Sequence, residues 1–209
     1  SELRKQLPTL LDQLQNQDRL VMALAGGGGT EYRLQTRESS AWYDEFRAQE
    51  AELKAAPQRV EQTRASLLRT RLGEALKKVR VAQGADNVER RLTPTYDDRL
   101  PRDHAQNLYL WIQDGWQTEE KSVLAEAKAL GTDNPSLFAF LPAQHKTELD
   151  NAIIALEAAR ATLQKKGSSS TEEGRDAQRS MESRQRAAEK QLAELLNQIL
   201  AGARVFQAG

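Results

Sequence analysis

The sequence predicts an α+β fold that is mostly helical, with long helices and a helical hairpin around a small sheet. Two observations predict it. Residues 107–142 form a complete strand, helix, strand pattern, in which the apolar runs 108–112 and 137–141 have the composition of strands buried on both faces. Nearly all of the remaining chain has the charged, amphipathic pattern of long helices. We therefore expect this βαβ unit to be the centre of the fold.

Residues 1–37 predict part of a winged-helix domain, namely a helix over 3–14 and two strands over 19–25 and 30–35. In a DNA-binding winged helix, this helix would enter the major groove. Here it offers mainly Asp, Asn and Gln, which favours packing or protein contact. The glycines at 26–29 are not followed by the Lys-Ser or Lys-Thr pair of a Walker A loop, so they do not predict a phosphate site.

Residues 38–80 predict long helices broken at Pro57, because proline is tolerated in the first turn of a helix but not in its interior. The second helix carries the clearest basic face of the chain. Its candidate contacts to a DNA backbone are Arg59, Arg64, Arg71, Lys77 and Lys78. The competing interpretation is a solvated coiled-coil flank whose cations pair with acidic neighbours, and charge runs on helices generally favour it.

Residues 81–142 predict a small α/β sheet subdomain. Strands over 78–82 and 88–94, joined by a turn at 84–87, would extend the sheet of the βαβ unit. Within that unit, Thr118 is the expected cap of the helix, Glu119 and Glu120 lie in its first turn, and Gly131 closes it.

The acidic residues of this region raise a remote alternative, a metal-dependent nuclease in which carboxylates hold the metal and a lysine polarises the attack. The residues concerned are Asp97, Asp98, Asp114, Glu119, Glu120 and Lys121. However, a predicted helix N-terminus already accounts for Glu119 and Glu120. His104 and His145 have no partner at ligand spacing, which is typical of surface or capping histidines.

Residues 143–209 predict a long antiparallel helical hairpin and a short terminal strand at 204–207. Its turn lies at 167–171, and a capping box pairs either Ser169 with Glu172 or Ser170 with Glu173. A hairpin of about 35 Å should project beyond a small sheet. Its candidate partner contacts are Leu163, Met181 and Leu192.

Composition limits the functional classes. Thirty basic residues balance thirty acidic ones, so any attraction for nucleic acid or a membrane must be local. The absence of cysteine excludes disulfides and thiolate metal sites and fits a reducing cytoplasm, and no apolar run has the length of a membrane span. No residues converge as a catalytic, cofactor or metal site, so we expect no enzyme activity. The start at Ser-Glu-Leu, within a helical pattern, predicts a fragment of a longer protein.

Five segments together resemble the large P-loop ATPase of bacteriophage-exclusion (BREX) defence systems, the BrxC or PglY family. They are residues 32–39 with Trp42, residues 110–116, residues 131–135, residues 171–175 and residues 203–206. The resemblance implies that the parent protein is a long AAA-type ATPase that uses ATP and Mg²⁺ in bacterial phage resistance, alongside a methyltransferase and other system proteins. The Walker motifs of that family have no counterpart in this chain.

Two main functional hypotheses follow. The first is a non-catalytic, cytoplasmic region of a BREX-type ATPase that serves protein-protein assembly or couples the ATPase to its partners and DNA. Its expected partners are other defence-system proteins or other domains of the parent, with oligomers allowed and no membrane. The alternative is a module that binds the DNA backbone through the winged helix and the basic helix. A plain coiled-coil protein would instead self-associate without specific partners.

Overall fold

A computed structural model describes residues 6, 21–26, 29–34, 37–83, 85–97, 107–131 and 135–208. These residues confirm a mostly helical α+β fold with long helices and a small sheet. The helices are α1 (Arg37–Ala55), α2 (Pro57–Leu76), α3 (Glu120–Ala129), α4 (Lys146–Lys166) and α5 (Glu172–Ala201). The strands are β1 (Val21–Gly26), β2 (Gly29–Leu34), β3 (Val81–Gln83), β4 (Val88–Thr95), β5 (Asn107–Asp114), β6 (Leu137–Leu141) and β7 (Arg204–Gln207).

The first two strands form a separate antiparallel hairpin in which Gly26 pairs with Gly29. This confirms the two strands expected for the wing. The predicted helix over 3–14 lies outside the described residues except for Gln6, which is helical. The winged-helix interpretation of this region therefore stays a prediction.

The larger sheet has the strand order β3-β4-β5-β6-β7. Its three inner strands are parallel, and β3 and β7 pair antiparallel at the two edges. The predicted βαβ unit is confirmed as β5, α3 and β6, and β6 has the predicted bounds. The predicted strand pair at 78–82 and 88–94 joins this sheet, with β3 starting three residues later than expected.

Both faces of β5 and β6 are buried, as the sequence predicts, whereas most residues of β4 are exposed or half-buried. On one face, Trp111 packs against Phe138 edge-on, with ring centroids 5.6 Å apart, in a cluster that includes Val123 of α3. On the alternate positions of β5, Leu108, Leu110 and Ile112 are also buried. β5 and β6 are thus the buried centre of the sheet, and α3 covers the face that carries Trp111.

Two helix boundaries confirm the sequence prediction, and one differs from it. Pro57 opens α2 directly after Ala56, so the long helical region is two helices. Gly131 follows the end of α3 with φ 73°, the left-handed conformation that favours glycine. At the start of α3, however, the N-cap is Glu119, without a side-chain cap hydrogen bond. The expectation that Thr118 caps this helix was wrong, because its hydroxyl lies 3.4 Å from Gln113 Oε1.

The hairpin of α4 and α5 is present, but its turn is capped differently from the prediction. The hydroxyl oxygen of Thr171 accepts a hydrogen bond from the Gly174 amide at 3.1 Å, so Thr171 is the N-cap of α5. Neither expected capping box forms at this position. Ser169 instead donates its hydroxyl to a carboxylate on α1, at 2.8 Å from Glu38 Oε1.

The chain divides into two compact units. The helical unit comprises Ser1–Arg64 and Thr147–Leu192, and the sheet unit comprises Ala65–Lys146 and Ala193–Gly209. The helical unit includes α1, the start of α2 and most of the α4–α5 hairpin, whereas the sheet unit contains the five-stranded sheet and α3. None of the described helices combines the length and the apolar sequence that a bilayer-spanning helix requires.

Candidate functional site

A set of polar side-chain contacts in the helical unit lies at the start of α1 and α5. We call it the Glu38 junction and define it by Glu38, Ser169, Thr171 and Gly174. The hydroxyls of Ser169 and Thr171 each donate a hydrogen bond to a different oxygen of the Glu38 carboxylate. These two bonds, that from Thr171 first, hold the pKa of Glu38 below its usual range, because they stabilise the charged form.

Gly174 is required at the Glu38 junction by close approach. A Cβ atom added there would lie 1.9 Å from Ser169 Oγ, 2.5 Å from Ser169 Cβ and 2.2 Å from Glu38 Oε1. The glutamate could swing away, but the Ser169 Cβ is fixed to the backbone. The junction therefore joins residues 38–39 and 171–175, two of the segments on which the family resemblance rests, by contacts that support the fold.

Helix α1 lies against both helices of the hairpin. The Tyr43 hydroxyl is 2.7 Å from Ser180 Oγ of α5, and Lys165 Nζ of α4 donates to Glu45 Oε1 at 2.8 Å. The guanidinium of Arg184 on α5 lies 5.5 Å from the ring centroid of Tyr43, a cation–π distance. These partners fix the position of α1 along the hairpin.

This packing corrects the prediction of a hairpin whose apolar residues meet an external partner. Met181 is fully buried and Leu192 is 4% exposed, while Leu163 is half-buried. Met181 and Leu192 therefore belong to the interior of the chain's own fold and were wrongly assigned as partner contacts. The sequence pattern identified an apolar stripe correctly but could not identify what covers it.

The five predicted DNA-contact residues differ in their exposure and in their partners within the chain. Arg64 is 4% exposed and its Nη1 lies 2.5 Å from Asp150 Oδ1 on α4, so the proposal that it contacts a phosphate backbone was wrong. Arg71 donates to Asn197 Oδ1 at 2.8 Å and to Glu74 at 3.0 Å, which ties α2 to the end of α5. Arg59 is exposed, 3.6 Å from a Glu52 oxygen. Lys77 and Lys78 are exposed in the turn that follows α2.

The segment Asp114-Gly115-Trp116 forms the turn that ends β5. Oδ1 of Asp114 accepts hydrogen bonds from the amides of Trp116 at 3.1 Å and Gln117 at 3.2 Å. The Gly115 amide donates to the Leu141 carbonyl at 2.8 Å, and a Cβ on Gly115 would lie 2.8 Å from the Ala143 nitrogen. This turn holds the ends of β5 and β6 together, and the Asp114 carboxylate is engaged by backbone amides.

An open cleft of about 560 Å³ lies at the carboxyl ends of β5 and β6, where α/β sheets commonly bind ligands. Its polar lining includes Thr118, Glu119, Glu120 and Lys121 at the start of α3. Glu120 is ion-paired with Arg204, next to the cleft. One acid of this lining, Glu120, is thus paired with a cation from β7.

The acidic residues named for the nuclease hypothesis do not come together as metal ligands within the part of the chain that the structure describes. The Asp97 carboxylate accepts from the Thr95 hydroxyl at 3.2 Å, and its carbonyl accepts from the Trp111 indole at 2.6 Å. Asp98 and His104 lie outside the described residues, and His145 is exposed before α4. Within the described ranges, no three Asp, Glu or His side chains come together as ligands of one metal ion.

The glycine run also differs from a nucleotide-binding loop in its structural setting. A phosphate-binding loop joins a strand to a helix, whose N-terminus holds the anion. Here Gly26 and Gly29 pair across an antiparallel hairpin, so the run joins two strands. The residues of this chain do not fit ATP at that position.

Comparison of the chain with known protein families, with curated proteins and with solved structures gave no match.

Proposed function

We propose that this chain is a non-catalytic structural module of a BREX-type antiphage ATPase, which acts in the cytoplasm and holds partner proteins or other domains of the parent. The observation that carries the proposal is the role of the segments that resemble this family. Glu38 and Thr171 meet in the Glu38 junction, and Asp114 supports the turn at the end of β5. Their polar groups are engaged in the fold itself.

The internal pairing of the helical unit gives further support for a scaffold. Its buried polar side chains are matched over long sequence separations, as with Tyr43 and Ser180, or Arg64 and Asp150. Such contacts specify one packing of α1, the start of α2, α4 and α5 because a mispaired arrangement would leave buried polar groups without partners. A defined helical surface is what a docking module requires, whereas nucleotide chemistry requires a phosphate loop.

The proposal is tested by coexpression of the tagged chain with the methyltransferase and the other proteins of a BREX system. We expect the chain to co-elute with at least one of these proteins at fixed stoichiometry in size-exclusion chromatography. Calorimetric titration of the free chain with ATP and Mg²⁺ should give no saturable heat. Tight ATP binding, ATP hydrolysis, or failure to associate with every protein of the system would contradict the proposal.

A matched pair of glycine variants provides the control. Gly174→Val adds a branched side chain at the Glu38 junction, where even a Cβ has no space. Gly73→Ala adds a Cβ in α2, where nothing lies within 4 Å. If the helical unit carries the docking surface, Gly174→Val should lose the partner and Gly73→Ala should keep it. Equal retention by both variants would place the docking surface outside the helical unit.

A further inference from the structure

The outer edge of the five-stranded sheet carries a local excess of positive charge. Over residues 77–91 the basic side chains are Lys77, Lys78, Arg80, Arg90 and Arg91, against the acids Asp86 and Glu89, although the whole chain has a formal net charge of zero. We define Lys77, Lys78, Arg80 and Arg91 as the basic edge. All four are exposed.

The strand register places these cations together. β3 is the outermost strand, and Val81 pairs with Arg90 of β4. Arg80 directly precedes Val81 and Arg91 directly follows Arg90, so both arginines lie at this end of the β3–β4 ladder. Lys77 and Lys78 lie in the turn that leads into this strand.

The chain's own acids compensate the basic edge only weakly. The Arg80 side chain is 86% exposed, and its ion pair with Glu89 has an N–O distance of 3.6 Å. Lys77, Lys78 and Arg91 form no ion pair with any residue that the structure describes. Arg160 differs, because it pairs with Glu189 at 2.9 Å across the hairpin. The positive charge of the basic edge thus remains available to an external anion.

We propose that the basic edge binds the phosphate backbone of duplex nucleic acid without reading its sequence. The cations lie in a strand edge and a turn, and lysines act as flexible point charges that suit phosphates. A duplex presents one negative charge per roughly 1.7 Å of its axis, so it can meet all four cations at once. Charge complementarity with a continuous anion favours this partner. This surface keeps Lys77 and Lys78 of the DNA-contact set predicted from the sequence and adds Arg80 and Arg91, whereas Arg64 of that set is buried.

The test is fluorescence anisotropy of a labelled 20-base-pair duplex, titrated with the full chain between 50 and 200 mM NaCl. Four phosphate contacts predict a slope of about −3.6 for the logarithm of affinity against the logarithm of salt, which is a loss of about 150-fold over this range. Duplexes of unrelated sequence should bind equally. No binding at 50 mM salt would overturn the proposal.

A triple variant locates the site. The triple variant combines Lys77→Gln, Lys78→Gln and Arg91→Gln. Its salt slope should be smaller in magnitude than that of the wild type by about 2.7. Between 50 and 200 mM NaCl, the fold-loss of affinity should therefore be about 40-fold smaller for the variant than for the wild type. The control carries Lys54→Gln, Lys128→Gln and Lys166→Gln, which change the net charge equally at exposed positions elsewhere. The control should keep the wild-type slope. Equal losses in both triple variants would refute the assignment to the basic edge.

Two competitors distinguish the partner class. Poly-glutamate carries a similar charge density on a peptide, and vesicles that contain phosphatidylserine carry it on a membrane. At equal concentrations of negative charge, neither should displace the duplex from the wild-type chain by more than a small fraction. Displacement by poly-glutamate would identify the edge as a site for acidic peptides, and displacement by vesicles would identify it as a membrane contact. Either result would overturn the nucleic-acid proposal.

Discussion

The two units of this chain reach a defined structure by different means. In the sheet unit, the cluster around Phe138 and Trp111 is apolar, and backbone pairing between neighbouring strands sets the register. In the helical unit, buried polar side chains such as Ser39, Thr162 and Ser180 lie among the apolar ones. Hydrogen bonds from side chains far apart in sequence, such as that between Tyr43 and Ser180, supplement the apolar packing.

The difference has a physical reason. A strand displaced by one residue would turn its buried side chains to the opposite face, so alternation alone specifies the sheet. Helices that pack through alanine and leucine stripes can slide or rotate at a smaller cost, so pairs with one correct geometry distinguish the native packing. In the sheet unit, we expect substitutions to change the free energy of unfolding mainly through lost apolar volume. In the helical unit, we expect them to change it mainly through lost polar pairs.

The largest effect should come from Phe138→Ala. Phe138 is 0% exposed and lies edge-on to Trp111, so truncation removes a large apolar contact and leaves a cavity. We expect a loss of about 3–5 kcal/mol in the free energy of unfolding, measured by urea denaturation. Val205→Ala is the control, because Val205 is 62% exposed on edge strand β7 and should change stability by less than about 0.5 kcal/mol. Similar losses in both variants would contradict the core assignment.

A smaller effect is expected from Arg64→Met, which retains much of the side-chain volume but removes the charge. Asp150, whose side chain is 19% exposed, would lose its ion-pair partner, so we expect a loss of about 3 kcal/mol by urea denaturation. Adding Asp150→Leu should recover most of that loss because it removes the carboxylate that faces position 64. Arg59→Met removes an exposed pair and should cost less than about 0.5 kcal/mol. If the double variant were no more stable than the single one, the pair would not set this packing.

The smallest effect is a pH dependence at the Glu38 junction. Since hydrogen bonds lower the folded-state pKa of Glu38, its stabilisation is fully present above the unfolded value of about 4.3 and is lost as the pH falls through the folded value. Thermal melts from pH 5 to pH 3 should therefore show a steeper loss of Tm for the wild type than for Glu38→Gln. A variant with Ser169→Ala and Thr171→Val should show the same flattening. If the Tm of Glu38→Gln fell as steeply from pH 5 to pH 3 as that of the wild type, the Glu38 carboxylate would not stabilise the fold through these hydrogen bonds.

Much of the fold could be predicted from sequence because its signals are local. Apolar runs bounded by turn residues predicted β5 and β6. Pro57 predicted the break between α1 and α2, and Gly131 predicted the end of α3. The bounds of β3 differed because only its pairing with β4, a contact across the sheet edge, decides where the strand begins.

The candidate site was less predictable because its contacts are not local. A Ser or Thr followed three residues later by Glu indicated a capping box at 169–173, but the Ser169 hydroxyl is bound to Glu38, more than a hundred positions earlier. The recurrence of Arg64, Arg71 and Lys78 every seven residues suggested one charged face, yet the partner Asp150 is on another helix. One local signal of the junction is Gly174, a glycine at the third position of α5, where a helix otherwise disfavours it.

The most direct test of the account compares Gly174→Ala with Gly73→Ala by urea denaturation. Alanine is favoured over glycine in a helix by about 1 kcal/mol, so Gly73→Ala, in open space, should raise the free energy of unfolding by up to that amount. At Gly174, the added Cβ would meet Ser169 Cβ at 2.5 Å, and we expect a net loss of about 1–2 kcal/mol. Opposite signs would support the Glu38 junction as the contact that fixes the helical unit. Stabilisation by both substitutions would contradict it.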